Sequence, residues 1–208
     1  MYQIDDVEFN YFLELLQQYG TTNHDFYQSL YEEDARIAQQ TRESGCSCGG
    51  ALHQSNYPRK ARGIHPEYDH FFQFRFSFCC DQQGCRKRKT PFSVRFLGRK
   101  VYIAVFFIVL CLCPVLAKPL VLCLQTLRRW QLFWSDTFVR SVFWQNNKAV
   151  LAVVFDEQSL PFSLFNVFLG SLSQRLFSLL KFLRPLTTAK NKARNLMPLV
   201  APQKMLSG

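Results

Sequence analysis

Two short cysteine clusters, about thirty residues apart, constrain this chain more than anything else in it. The first reads Cys46-Ser47-Cys48-Gly49-Gly50. The second is Cys79-Cys80 followed by Cys85, with Gly84 just before the last thiol. A structural zinc ion takes four ligands in a tetrahedron, delivered as two pairs on tight turns. Glycine builds such turns because it adopts positive φ without steric cost. The pattern predicts a zinc ribbon, two knuckles holding a small β-hairpin. Cys46, Cys48, Cys80 and Cys85 are the expected ligands and Zn2+ the expected ion, and a closed site of four thiolates holds structure rather than catalysing. Cys79 competes with Cys80 for the second pair. The Cys-x-Cys pair is one residue shorter than the common Cys-x2-Cys knuckle, which keeps His53 open as an alternative ligand.

Charge is distributed as unevenly as cysteine. Of the net +10, residues 1–45 contribute −7, from nine acids against Arg36 and Arg42, whereas residues 46–100 contribute +8. A basic block beside a metal knuckle suits a polyanion, nucleic acid before membrane. The candidate contacts are Arg59, Lys60 and Arg62 on a turn-rich loop, Arg86, Lys87, Arg88 and Lys89 after the last cysteine, and then Arg95, Arg99 and Lys100. Salt-dependent DNA binding is the expectation. The opening MYQIDDVEF is acidic where a signal peptide is basic, so a cytoplasmic, nucleoid-associated protein is expected. In that compartment clustered cysteines are metal ligands rather than disulfides. Cys111, Cys113 and Cys123 lie in apolar sequence and are expected to pack as small hydrophobes.

Along the chain, Asp5 or Asp6 can cap a helix running to about Tyr19, and a second helix is expected from Asp25 to Ser44, with Gly45 as its stop. Residues 72–78 and 92–96 alternate aromatic with polar side chains, which is strand periodicity, so 71–96 is expected to form the ribbon's hairpin. Residues 101–116 are almost wholly apolar. Extended to Leu124 the run reaches membrane-span length, but Pro114 interrupts it and the charge-free part makes only about 24 Å of helix at 1.5 Å per residue. A buried core helix is the first reading and a single-pass inner-membrane anchor the alternative.

From Leu124 the pattern becomes amphipathic, with Leu127, Trp130, Trp134 and Phe138 on one stripe and Gln125, Arg128, Arg129 and Gln131 off it. This outlines a helix-turn-helix whose Gln125, Arg128 and Arg129 would reach base edges. Phe143-Trp144 and residues 150–155 suggest an apolar connector or short strand, and 160–183 a last helix. The fold class expected is α+β, mostly α: an acidic helical hairpin (1–45), the zinc ribbon (46–100), a helical domain (101–184) and a basic disordered tail (185–208).

Catalysis finds little to work with. After Lys100 the carboxylates are Asp136, Asp156 and Glu157, and a two-metal centre needs about three acids from separate elements. No P-loop, nucleophile elbow or zinc-hydrolase motif occurs. The expectation is a non-enzymatic protein without a small-molecule substrate. Another possible use of the ribbon is a protein-gripping surface built from Phe71, Phe72 and Phe74.

The order of parts resembles the N-terminal region of zinc-ribbon insertion-sequence transposases, and is also similar to short bacterial proteins found with mobile elements. The resemblance rests on Cys46-x-Cys48-Gly49-Gly50-x-Leu52-His53, on Tyr57-Pro58-Arg59-Lys60-x-Arg62-Gly63, and on the run from Phe78-Cys79-Cys80 through Gly84-Cys85-Arg86 to Arg99. Thr126-Leu127-x-Arg129-Trp130 extends it. It implies DNA binding at element ends, a structural zinc, and a transposase or other mobile-element protein as a further partner. A transposase of that kind would continue into an RNase H-like catalytic domain, so the resemblance leads to the expectation of a binding module rather than a transposase.

Overall fold

The computed structural model describes residues 5–17, 21–97, 102–118, 120, 122–151 and 156–187. Helix α1 (Asp6–Gln17) starts where the Asp5 carboxylate accepts the Glu8 backbone N–H at 2.7 Å, which satisfies one of the donors orphaned at a helix start. Helix α2 (Thr21–Glu43) is longer than the periodicity predicts. Phe26, Tyr27, Leu30, Asp34, Ile37 and Ala38 fall at helical spacing and are buried. The Tyr27 hydroxyl donates to the Leu15 carbonyl at 2.8 Å and ties the two helices together. Gly45, at φ +60°, ends the turn after α2.

The ribbon follows. Strands β1 (Leu52–Gln54), β4 (Phe78–Cys80) and β5 (Arg88–Lys89) form an antiparallel sheet in the order β1-β4-β5, with Leu52 opposite Cys80 and Phe78 opposite Lys89. Strands β2 (Tyr57–Pro58) and β3 (Phe74–Arg75) form a second pair. The expected single hairpin over 71–96 is therefore several short pieces. Pro66–Phe72 is a 3-10 helix started by proline. The alternating stretch 92–96 is not a strand: it is folded around the carboxylate of Asp34, which accepts from Ser93 Oγ at 2.6 Å, Val94 N at 2.7 Å and Arg95 Nε at 2.7 Å.

At the centre lies α3 (Ala104–Leu112), nine residues that are all buried. The apolar run is helical over this part alone, because a proline at 114 cannot donate the next ladder bond; a 3-10 turn, Pro114–Ala117, follows. Among the described residues no helix is long and apolar enough to cross a membrane. The described part of the run is a short helix buried in protein, as the core-helix reading expects. Phe12, Leu30, Phe72, Phe96, Trp134, Trp144, Phe165 and Leu179 share its cluster, so the front helices and the rear of the chain pack into one core. The ribbon keeps a small separate cluster of Ala38, Leu52, Phe78 and Cys80.

Helix α4 (Leu124–Leu132) runs into a π-helical turn, Phe133–Phe138, and α5 (Val142–Asn147) takes the place of the expected connector at Phe143-Trp144, while most of its second part, residues 152–155, lies outside the described residues. Leu127, Trp130, Trp134 and Phe138 are buried as the stripe predicts, but Leu124 is exposed. The expected last helix is broken into α6 (Phe162–Phe165) and α7 (Leu172–Leu183). Gly170 at φ +108° makes the break, and Ser171 with Gln174 closes a reciprocal capping box on α7. The expected tail lies outside the described residues beyond Thr187.

Candidate metal centre and its basic rim

The sulfur atoms of Cys46, Cys48, Cys80 and Cys85 all lie within 4.8 Å of one another. Cys46 and Cys85 Sγ are 3.7 Å apart, and Cys48 and Cys80 Sγ 3.4 Å. Four thiolates at about 2.3 Å from a tetrahedral zinc sit about 3.8 Å from each other, so the donor set has the separation and chemistry of a four-coordinate metal site. All eight cysteines are free thiols. Cysteines 32 to 39 residues apart in sequence meet here because β1 pairs with β4 and carries the first turn up against the second.

Each turn is shaped to let backbone approach sulfur. In the first, Gly49 N donates to Cys46 O at 2.9 Å and Cys46 N to Gly50 O at 3.0 Å, with Gly49 at φ +84°. In the second, Cys85 N donates to Gln82 O at 3.0 Å, with Gly84 at φ +87°. A Cβ on Gly50 would stand 2.7 Å from Cys80 Sγ and 3.0 Å from Asp81 Oδ1. Only a hydrogen fits at that point.

Backbone N–H groups two residues on point at the sulfurs: Cys48 at Cys46, Gln82 at Cys80, and Lys87 at Cys85. Such bonds orient ligands and disperse the charge of a thiolate. The N–H of Cys48, helped by its thiol, holds the Cys46 thiol down at about 6. Burial pushes Cys80 up to about 12. A divalent ion bound among the four sulfurs would favour their thiolate forms.

The competing candidates separate cleanly. Cys79 faces the other side of β4, where its thiol lies 3.6 Å from the Arg86 carbonyl and 3.8 Å from that of Cys80. Strand alternation thus selects Cys80. His53, opposite Cys79 in the register, meets the Asp81 carboxylate at 3.3 Å and is outside the thiol group.

The cations divide into three kinds. Lys60, Arg62, Arg86 and Lys87 are exposed, as are Gln125, Arg128 and Arg129 along α4. Arg88, Lys89 and Arg59 brace the ribbon: Arg88 lies 4.7 Å over the Tyr57 ring and donates to Ser55 O, Lys89 Nζ donates to Ser44 Oγ and Gly45 O, and Arg59 lies 5.1 Å over Phe96. Arg95 is a correction to the expected phosphate contacts. It is fully buried, paired with Asp34 at 2.7 Å, donates to the Phe71 carbonyl, and sits among the rings of Tyr31, Phe76 and Phe96. The signal for this in sequence is faint: one aspartate inside an otherwise apolar helical stripe. Arg99 and Lys100 lie outside the described residues.

Two further expectations meet contrary geometry. Residues 113–123 separate α3 from α4, and α3 has no exposed face, whereas the motif's two helices are joined by a 3–4-residue turn. Of the three aromatic residues expected to grip a protein, Phe71 and Phe72 are 8% and 0% exposed and belong to the core, and Phe74 is half-buried. The chain matches no protein-family model, no curated protein and no solved structure.

Proposed function

We propose that this is a non-enzymatic DNA-binding protein in which a structural zinc ion, held by Cys46, Cys48, Cys80 and Cys85, fixes a basic ribbon against the phosphate backbone. The observation that carries the reading is the convergence of the four thiols directly before an exposed Arg86-Lys87 pair. A thiolate cluster makes the turn rigid, and a cation held on a rigid turn loses less freedom on meeting a phosphate than one on a mobile arm. Lys60 and Arg62 on the neighbouring loop add charge, and α4 offers Gln125, Arg128 and Arg129 for contact in a groove. Zinc is the reading for the ion because four cysteine thiolates suit it and its tetrahedral preference. The resemblance to mobile-element ribbons favours an accessory role at element ends.

The carboxylates after residue 100 support a binding rather than catalytic reading. Asp136 pairs with Arg140 at 3.0 Å, and Glu157 accepts from Trp144 Nε1 at 2.8 Å and from Lys148 at 3.0 Å.

Fluorescence anisotropy with a labelled 20-base-pair duplex, titrated between 50 and 200 mM salt, tests the reading. Each phosphate contact contributes about 0.9 to the slope of log K against log salt. Arg86→Ala with Lys87→Ala should therefore lower the slope by about 2 and weaken binding to all sequences alike. Binding that is absent, or indifferent to salt, in zinc-loaded protein overturns it.

A further inference from the structure

We propose that the four clustered thiols are also an oxidation site, at which a peroxide forms two disulfides, Cys46–Cys85 and Cys48–Cys80, that keep the two turns of the ribbon joined. The inference rests on the geometry of the sulfurs and is independent of the DNA reading.

Three observations meet at this cluster. The first is which sulfurs face each other. Cys46 meets Cys85 at 3.7 Å and Cys48 meets Cys80 at 3.4 Å, each pair joining one turn to the other. A disulfide bond is about 2.0 Å long, so either pair closes with about 1.5 Å of sulfur movement. The turns already touch, since a Cβ on Gly50 would stand 2.7 Å from Cys80 Sγ. The second is graded access. Cys48 is exposed, Cys46 and Cys85 are half-buried, and Cys80 is fully buried. An accessible thiol beside a sheltered one suits peroxide chemistry, because the first is attacked and the second resolves the product. The third is that the neighbouring thiol is turned away. Cys79 lies on the other face of β4, with its sulfur 3.6 Å from the Arg86 carbonyl, so it does not compete for the resolving step.

Each disulfide consumes one peroxide. The Cys48 thiolate attacks a peroxide oxygen: the S–O bond forms, the O–O bond breaks, and the departing hydroxide takes up the proton the thiol released. The Cys80 thiolate then attacks the sulfenic sulfur: the S–S bond forms, the S–O bond breaks, and the second hydroxide leaves as water with the proton from Cys80. The two sulfurs give up two electrons and the peroxide takes them. Cys46 and Cys85 repeat the sequence with a second peroxide. Pairing within each cluster, Cys46 with Cys48 and Cys80 with Cys85, would close small loops and leave the turns unlinked. The crossing bonds close loops of 39 and 32 residues, and a longer closed loop removes more freedom from the unfolded chain. The oxidised ribbon therefore keeps β1 against β4 without an ion.

Hydrogen peroxide is the probe. The reduced, zinc-loaded full chain is oxidised, its remaining thiols are trapped with N-ethylmaleimide, and it is digested with a cut before Asp81, so that Cys80 and Cys85 fall on separate peptides. Tandem mass spectrometry then reads the pairing. The expected result is Cys46 joined to Cys85 and Cys48 joined to Cys80, with Cys79 recovered as a free thiol. Cys85→Ser should leave the Cys48–Cys80 bond to form alone. In hydrogen exchange the amides of Ser55 and Asp81, which bond to Ser77 and Ala51 across the ribbon, should keep their protection in the oxidised chain. Zinc released into a chromophoric chelator from the same sample tests the metal reading separately, since the pairing is read whether or not an ion is counted. Bonds closed within each cluster, sulfinic or sulfonic acids in place of disulfides, or loss of protection at Ser55 and Asp81 overturns the proposal.

Discussion

At the scale of single residues, the smallest side chains and the least exposed charges have the largest consequences. Gly50 is where the two halves of the metal centre touch, since a methyl group there would press on Cys80 Sγ at 2.7 Å. Gly50→Ala is expected to lower metal affinity by about 10–100-fold, the usual cost of disturbing a ligand's immediate support. Cys79→Ser should leave one bound ion per chain. Titration against a chromophoric chelator checks both, and metal lost on Cys79→Ser would contradict the assignment of Cys80. Asp34 presents the opposite case, a charge held inside the protein. Its carboxylate collects Ser93, Val94 and Arg95 and is 1% exposed, with Arg95 fully buried beside it. Removing one member of a buried pair strands the other, at about 3–5 kcal/mol. Asp34→Asn should therefore cost about that much in urea unfolding, whereas Asp34→Leu with Arg95→Met should cost less than the sum of the two singles.

Elements were legible from sequence in proportion to how local their causes are. Helices α1 and α2, the turn glycines and the thiol set follow from caps, spacing and steric freedom within a few residues. The buried stripe of Leu127, Trp130, Trp134 and Phe138 was legible for the same reason. The segment 92–96 alternated like a strand yet is folded around an aspartate about sixty residues away, a cause no window of periodicity contains. At 101–124 apolar composition alone does not distinguish lipid from a core of aromatic rings; Pro114 and the shortness of the charge-free part favoured the core helix found at Ala104–Leu112. The rear of the chain is joined to α2 by Glu33, which accepts from Arg36 and from Arg184 at 3.0 Å. Burial pushes Glu33 up, but its bond to Arg36 and the charges of Lys181, Arg36 and Arg184 outweigh burial and hold it below its ordinary 4.5. A carboxyl lowered on folding stabilises the protein above its unfolded value, and that stability is lost as pH falls through the folded one. Between pH 6 and 3 the urea midpoint should therefore drop less steeply in Glu33→Gln than in the parent. Parallel profiles would show that this link contributes nothing.

For the molecule as a whole, the division into two apolar clusters determines how it fails. The smaller cluster is Ala38, Leu52, Phe78 and Cys80, one of which is a candidate ligand and one of which belongs to α2. Such a cluster buries little apolar surface, so a metal ion bound at the four thiols would supply most of the stability of β1, β4 and β5. The main core contains no ligand: α3 is enclosed by α1, α2, α4 and α7 whether or not the thiols are clipped together. Stripping the metal with a strong chelator should thus unfold one part and spare the other. In hydrogen exchange, the amides of Ser55, Cys80 and Asp81, which bond to Ser77, Lys87 and Ala51 across the ribbon, should lose their protection. The amides of Phe107 and Cys113, bonded within the buried helix, should keep theirs. DNA affinity should fall in the same preparation, because Arg86 and Lys87 lose their frame, while a weaker salt-dependent contact through Arg128 and Arg129 persists. Uniform loss of protection would mean that α2, which enters both clusters, makes ribbon and core a single cooperative unit. Unchanged protection would mean that the strands stand without the ion, and the thiol cluster would no longer explain how the basic rim is held.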